Sequence, residues 1–127
     1  MLKTGILNPQ INFLLCRVRH TNTLVIADRG FPFWPQIETI DLTLVDDIPT
    51  VLDVLKAVSN NFVIGKAWMA SEFRDGTSEE ALHSYAALLP SIEFEEHIQL
   101  KRRVPFAIGL IRTADTIPYS NIILESA

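Results

Sequence analysis

The sequence contains a single cysteine, Cys16, in 127 residues. This excludes an internal disulfide framework and any metal site built from several thiolates. Histidines number three, His20, His83 and His97, and none share the His-x-x-x-His spacing of a helical metal pair. The five glycines form neither a phosphate-cradling loop nor a nucleophile elbow. Long apolar runs are missing as well. The longest uncharged stretch, Thr4 to Cys16, is broken by Asn8, Pro9, Gln10 and Asn12 and falls short of the roughly 18 residues a membrane span needs. With Lys3, the same polar residues give no basic leader followed by an apolar block, so the expected location is the cytoplasm, with the mature chain starting near Met1. Basic residues are in the minority, 11 Lys and Arg against 15 Asp and Glu for a net charge of −4. This disfavours broad binding to nucleic acid, and Lys101-Arg102-Arg103 reads as a solvated helix end.

What is present is an ordinary globular composition, 48% apolar and 20% charged, predicting one domain over residues 1–127. Ile11, Leu14, Leu15 and Val18 form a helical stripe over Asn8–Arg19, with Asn8 as cap and Pro9 at the first helical position. Cys16, among these apolar residues, reads as buried. Thr23–Asp28 is a β-branched apolar run, read as a buried strand. Residues Arg29–Pro35 are loop, and Ile40, Leu42 and Leu44 alternate as a strand. Asp46 and Asp47 are expected to complement the start of a helix carrying Val51, Leu52, Leu55 and Val58. A strand over Phe62–Ala70 follows, then a helix opened by a Thr77/Glu80 capping box. Ile92–Glu95 is a strand and Glu96–Arg103 one or two helical turns. Strands over Phe106–Arg112 and Asn121–Leu124 flank a polar loop, Thr113–Ser120. Helices alternating with strands predict α/β, a three-layer α/β/α sandwich on a mixed, largely parallel sheet.

Chemistry is expected at strand ends, where open α/β sheets bind ligands. His20 and Asp28 lie eight residues apart across a turn and a strand, and this spacing is read as bringing them to one cleft. A histidine beside a carboxylate is placed for proton transfer near neutrality. Phe31, Phe33 and Trp34 form an aromatic loop nearby, while Trp68 reads as core and His83 as solvated.

Taken whole, His20-Thr21-Asn22-Thr23-Leu24-Val25-Ile26-Ala27-Asp28, followed by Gly30 and Pro32, resembles the RbsD/FucU family of sugar mutarotases, especially its ribose pyranase branch. The resemblance continues through Lys3–Asn8, Ile40-Asp41-Leu42, Ile48-Pro49, Ile111-Arg112-Thr113 and Pro118–Leu124, nearly the whole chain. It implies His20 as proton donor, Asp28 and His97 as sugar-binding residues, and Tyr119, Ser120 and Asn121 as a C-terminal sugar-binding motif. It also implies catalysis without a cofactor or metal, a monosaccharide substrate of the ribose or fucose class, and no nucleic-acid or membrane partner. The implied assembly is a homo-oligomer, commonly a decamer of stacked pentamers with the site at a subunit interface. The alternatives are a fucose-type anomer mutarotase, which the Phe31-Pro32 pair resembles, and a non-catalytic sugar-binding or regulatory homologue. Arg19 stands where the family usually has glycine, at an expected left-handed helix end. Arg29, Glu96 and Ala114-Asp115 also depart from the family pattern.

Overall fold

The computed structural model describes residues 1–127. Helix α1 spans Pro9–Arg17; Asn8 accepts the Ile11 N–H on its side chain, and Pro9 occupies the first turn, where a missing N–H costs nothing. Strand β1 is Thr23–Ala27, β2 Glu38–Asp41, and helix α2 Val51–Ser59. Strand β3 (Ile64–Ala70) runs directly into a short helix α3 (Ser71–Gly76), followed by α4 (Glu79–Ala86) and β4 (Ile92–Glu95). Helix α5 (His97–Arg103) continues through a 3-10 turn into β5 (Gly109–Arg112), and β6 is Ile122–Ser126.

The six strands form one sheet in the order β2-β5-β1-β6-β3-β4. Strand β6 is antiparallel to both its neighbours, whereas β2–β5, β5–β1 and β3–β4 pair in parallel. The central strands are buried on both faces: Leu24 through Ala27 and Ile122 through Leu124 have no exposed surface. Such coverage is the mark of a sheet with helices on each side, the sandwich expected. Gly109 permits close packing against α1, since a Cβ there would stand 2.7 Å from Leu14 Cδ1. Because β6 alone is reversed, one edge of the sheet carries the ends of β1, β2, β3, β4 and β5 together with the start of β6.

Several local expectations are corrected. Cys16 is exposed, because it projects away from the stripe of Ile11, Leu14 and Val18. The α4 cap is Ser78, accepting from the Ala81 N–H, one residue beyond Thr77. Strand β2 stops at Asp41, leaving Leu44 exposed. The acids at the start of α2 are not Asp46 and Asp47. Asp53 forms a capping box with Thr50, and Asp115 accepts the Val51 N–H at 2.9 Å. Val18 and not a left-handed residue closes α1; the positive φ falls at Thr21, so Arg19 carries no such strain.

Candidate active site at the carboxyl edge of the sheet

Asp28 is the first residue beyond β1, and it bonds across the sheet to Asn121, the residue before β6. The Asp28 N–H donates to Asn121 Oδ1 at 2.7 Å. This fixes the orientation of the amide, so Asn121 Nδ2 faces His97 Nε2 at 3.5 Å. His97, the first residue of α5, packs edge-on against Tyr119 and Phe31, with ring centroids 5.0 and 5.9 Å apart. A cavity of about 280 Å³ is lined by Asp28, Phe31, His97, Tyr119 and Asn121, with Arg29 to Pro32 and Thr116 to Pro118 completing its rim. Four of the six residues proposed from sequence therefore share one cavity.

The cavity is held by its surroundings. Asp28 Oδ1 accepts the Gly30 N–H at 2.9 Å, which curls the following loop. Arg112, at the end of β5, donates to the carbonyls of Asp28, Arg29 and Pro32, so its guanidinium is spent within the chain, pinning that loop. Arg29 pairs with Asp46, not with Asp28. On the other wall, the buried Asp115 accepts the Ile117 N–H on Oδ1 and the α2 amide of Val51 on Oδ2. Ser120 is fully buried and donates to the Ile117 carbonyl at 2.9 Å. Its hydroxyl closes the turn from Ile117 to Ser120 rather than lining the cavity. Tyr119 is held at φ 63°, a left-handed conformation that costs a bulky residue on the order of 1 kcal/mol and commonly marks a functional position.

Electrostatics follow burial. Burial pushes the Asp28 carboxyl above the usual range, against the opposing hydrogen bonds from Gly30, Asn121 and Phe31. Burial, then Lys101, pulls the His97 imidazole below its ordinary value, outweighing the attraction of Glu72 and Asp28. The site thus offers a carboxyl and a neutral imidazole whose proton affinities have moved toward each other, an arrangement suited to exchanging protons with hydroxyls. No three His, Cys, Asp or Glu side chains gather in a manner that holds a metal ion, and no helix is long and apolar enough to cross a membrane.

His20 is not in this cavity. It is exposed in the turn before β1, where the Thr21 N–H donates to the Ser126 carbonyl at the far end of β6. Within one chain the intervening strand places His20 and Asp28 at opposite edges of the sheet, so the two do not share a cleft there. Sequence reasoning also missed Glu72, which accepts the His97 N–H on both carboxylate oxygens at 3.0 and 3.1 Å. Its signal was available, a carboxylate two residues past an apolar strand, close to the placement of Asp28 one residue past β1.

Fold and cavity define an α/β protein with a concave polar site at the carboxyl ends of its strands, where such sheets hold small molecules. The chain belongs to the RbsD / FucU transport protein family, which it matches over residues 1–127. It is 39% identical over 128 residues to a D-ribose pyranase of Geobacillus thermodenitrificans, covering 99% of this chain and 96% of that one. A D-ribose pyranase of Lactobacillus acidophilus is 37% identical, covering 99% and 97%. Among solved structures, Bacillus subtilis RbsD complexed with D-ribose superposes with a TM-score of 0.92 at 30% identity, covering 100% of this chain and 98% of that one. The fold is also that of the fucose mutarotase complexed with L-fucose from Streptococcus pneumoniae, TM-score 0.75 at 16% identity, covering 99% and 98%.

Proposed function

We propose that this chain is a sugar mutarotase of the ribose pyranase type, an isomerase that opens a cyclic monosaccharide and lets it close through another hydroxyl. The observation that carries this reading is the shared cavity of Asp28, His97, Tyr119 and Asn121, in a chain similar throughout its length to D-ribose pyranases. Opening a hemiacetal removes the proton of the anomeric hydroxyl and delivers one to the ring oxygen. Positioned acid–base groups contribute about 10²–10⁴-fold to such steps, a useful gain for a reaction that water already supports. In this reading Asp28 and His97 bind and polarise hydroxyls, Asn121 fixes both, and Tyr119 closes over the ring.

His20 serves as proton donor from a neighbouring copy. The sheet edge with the cavity and the edge with His20 are different surfaces, so their contact is heterologous, a geometry that closes into rings. The surroundings suit burial by a second chain. A groove of about 710 Å³ adjoins the cavity at Pro32, with Phe33, Trp34 and Ile98 in its wall, and Phe33 and Phe106 are 71% and 85% exposed. Large aromatics left in water at this density mark an interaction surface. Pentamers stacked as a decamer are the assembly the family resemblance implies. Cytoplasmic residence goes with the exposed free thiol of Cys16.

Saturation-transfer NMR on equilibrated ribose and on fucose tests the proposal, with His20→Ala as control. Ring-form exchange in ribose accelerated by the native chain and not by the variant supports it. Acceleration of fucose anomers alone assigns the fucose-type reaction instead, and binding without acceleration assigns a sugar sensor.

A further inference from the structure

Strands β3 and β4 are parallel neighbours whose last residues, Ala70 and Glu95, are paired in register. Glu72 and His97 are each the second residue past those paired ends. The sheet therefore brings them side by side, and the contact is made through the backbone of His97. Glu96, at the N-cap position of α5, provides no side-chain cap, so the opening amide of the helix is held from α3, by Glu72. The carboxylate is braced in turn, with Ser71 Oγ donating to its Oε1 at 3.2 Å.

We propose that Glu72 is a positioning residue of the sugar site, holding His97 by its amide and tuning the imidazole by its charge. The inference deepens the mutarotase reading and rests on it for its meaning in catalysis. Anchoring the amide fixes where α5 begins and hence where the ring sits against Tyr119 and Phe31. A negative charge beside that ring offsets the burial that disfavours imidazolium. The charged groups bearing on the ring are Lys101 on α5, Glu72 on α3 and Asp28 beyond β1. Lys101 opposes protonation, and the two carboxylates favour it. Partial burial pushes the Glu72 carboxyl up, but the amides of His97 and Glu72, the Ser71 hydroxyl and the attraction of His97 together leave it lowered. It is therefore ionised across the neutral range.

Two variants separate anchor from charge. Glu72→Gln keeps an oxygen for the His97 amide and removes the charge, while Glu72→Ala removes both. The readout is the NMR titration of the His97 ring in sugar-free protein, assigned by its loss in His97→Gln. Glu72→Gln is expected to lower the midpoint by roughly half a pH unit or more, as losing a nearby opposite charge does. Glu72→Ala is expected also to weaken ribose affinity about five-fold, the scale of a lost helix cap, with Glu72→Gln restoring most of it. A His97 midpoint unchanged or raised in Glu72→Gln overturns the proposal, as does equal ribose affinity in native and Glu72→Ala protein. Failure of native protein to bind ribose overturns the ribose-type reading instead, while the sugar-free titration still decides whether Glu72 tunes His97.

Discussion

His20 precedes β1 and Asp28 follows it, so five residues of extended strand, roughly 17 Å at the usual rise, separate the two side chains. Neither end can bend toward the other. Leu24 to Ala27 are buried with no exposed surface and paired with β5 and β6 along their length. In the proposed reading the cavity residues bind the sugar and the donor comes from a neighbouring chain.

Asn121 should prove the most sensitive position for integrity of the site. Its Oδ1 is the acceptor for a buried backbone amide, that of Asp28. Leaving that donor unpaired costs about 1–3 kcal/mol. Asn121→Leu is expected to lose that much stability by chemical denaturation together with sugar binding. Asn121→Asp, which keeps an acceptor, should fold better than the leucine variant yet still bind poorly, because it adds a like charge beside Asp28. A leucine variant as stable as the native chain would refute the assignment.

Sugar binding should fall on the acid side of neutrality through His97. With the ring neutral, Nε2 can accept from Asn121 Nδ2; once protonated it becomes a donor facing a donor. Burial, followed by Lys101, depresses this imidazole. Its contribution to stability is thus present above the ordinary value near 6.5 and is lost as pH falls through the lowered one. Calorimetric ribose titrations from about pH 8 to pH 5 should show an acid limb centred below the ordinary histidine value and absent in His97→Gln. A limb that survives in that variant assigns the effect elsewhere.

Asp28 has the opposite stability signature. Its carboxyl is raised chiefly by burial, so the folded state favours the protonated form. That contribution is complete below the ordinary carboxylate range and is lost as pH rises through the raised value. Asp28→Asn, neutral at every pH, should match the native melting temperature in acid and exceed it at neutrality, while losing sugar affinity. A variant less stable than native at pH 7 would show that the charge is better compensated than its burial implies.

Assembly should be separable from folding. Phe33 is 71% exposed beside the groove that adjoins the cavity, so Phe33→Glu should leave the circular dichroism spectrum and the buried core unchanged. It should lower the mass seen by light scattering and abolish exchange catalysis. An active variant of native mass would remove Phe33 from the proposed interface.

Local chemistry was the part of this molecule most legible in its sequence. Asn8 and Pro9 announce α1 because cap and first-turn preferences act within a few residues, and Asp28 is recognisable as the polar end of an apolar strand. His97 is placed by counting back without a gap from Ile111-Arg112-Thr113, and Tyr119 and Asn121 by the motif Pro118–Leu124; all three line the cavity. The errors arise where distant partners decide. Asp115 reaches Val51 across 64 residues, and no local pattern reports that contact, whereas Asp46 and Asp47 stand close by in sequence. Ser78 displaced Thr77 because two hydroxyls one residue apart compete for the same cap. The His20–Asp28 spacing looked short because it was counted along the chain, whereas extended strand turns eight residues into a full crossing of the sheet.

Complementation between copies tests the account most directly. His20→Ala and Asp28→Asn chains, each inactive alone, would be co-expressed, purified as mixed oligomers, and assayed by saturation transfer on ribose. A site shared between chains predicts recovered exchange, because some interfaces join an intact His20 to an intact Asp28. Mixed oligomers of native mass that stay as inactive as either parent would contradict it.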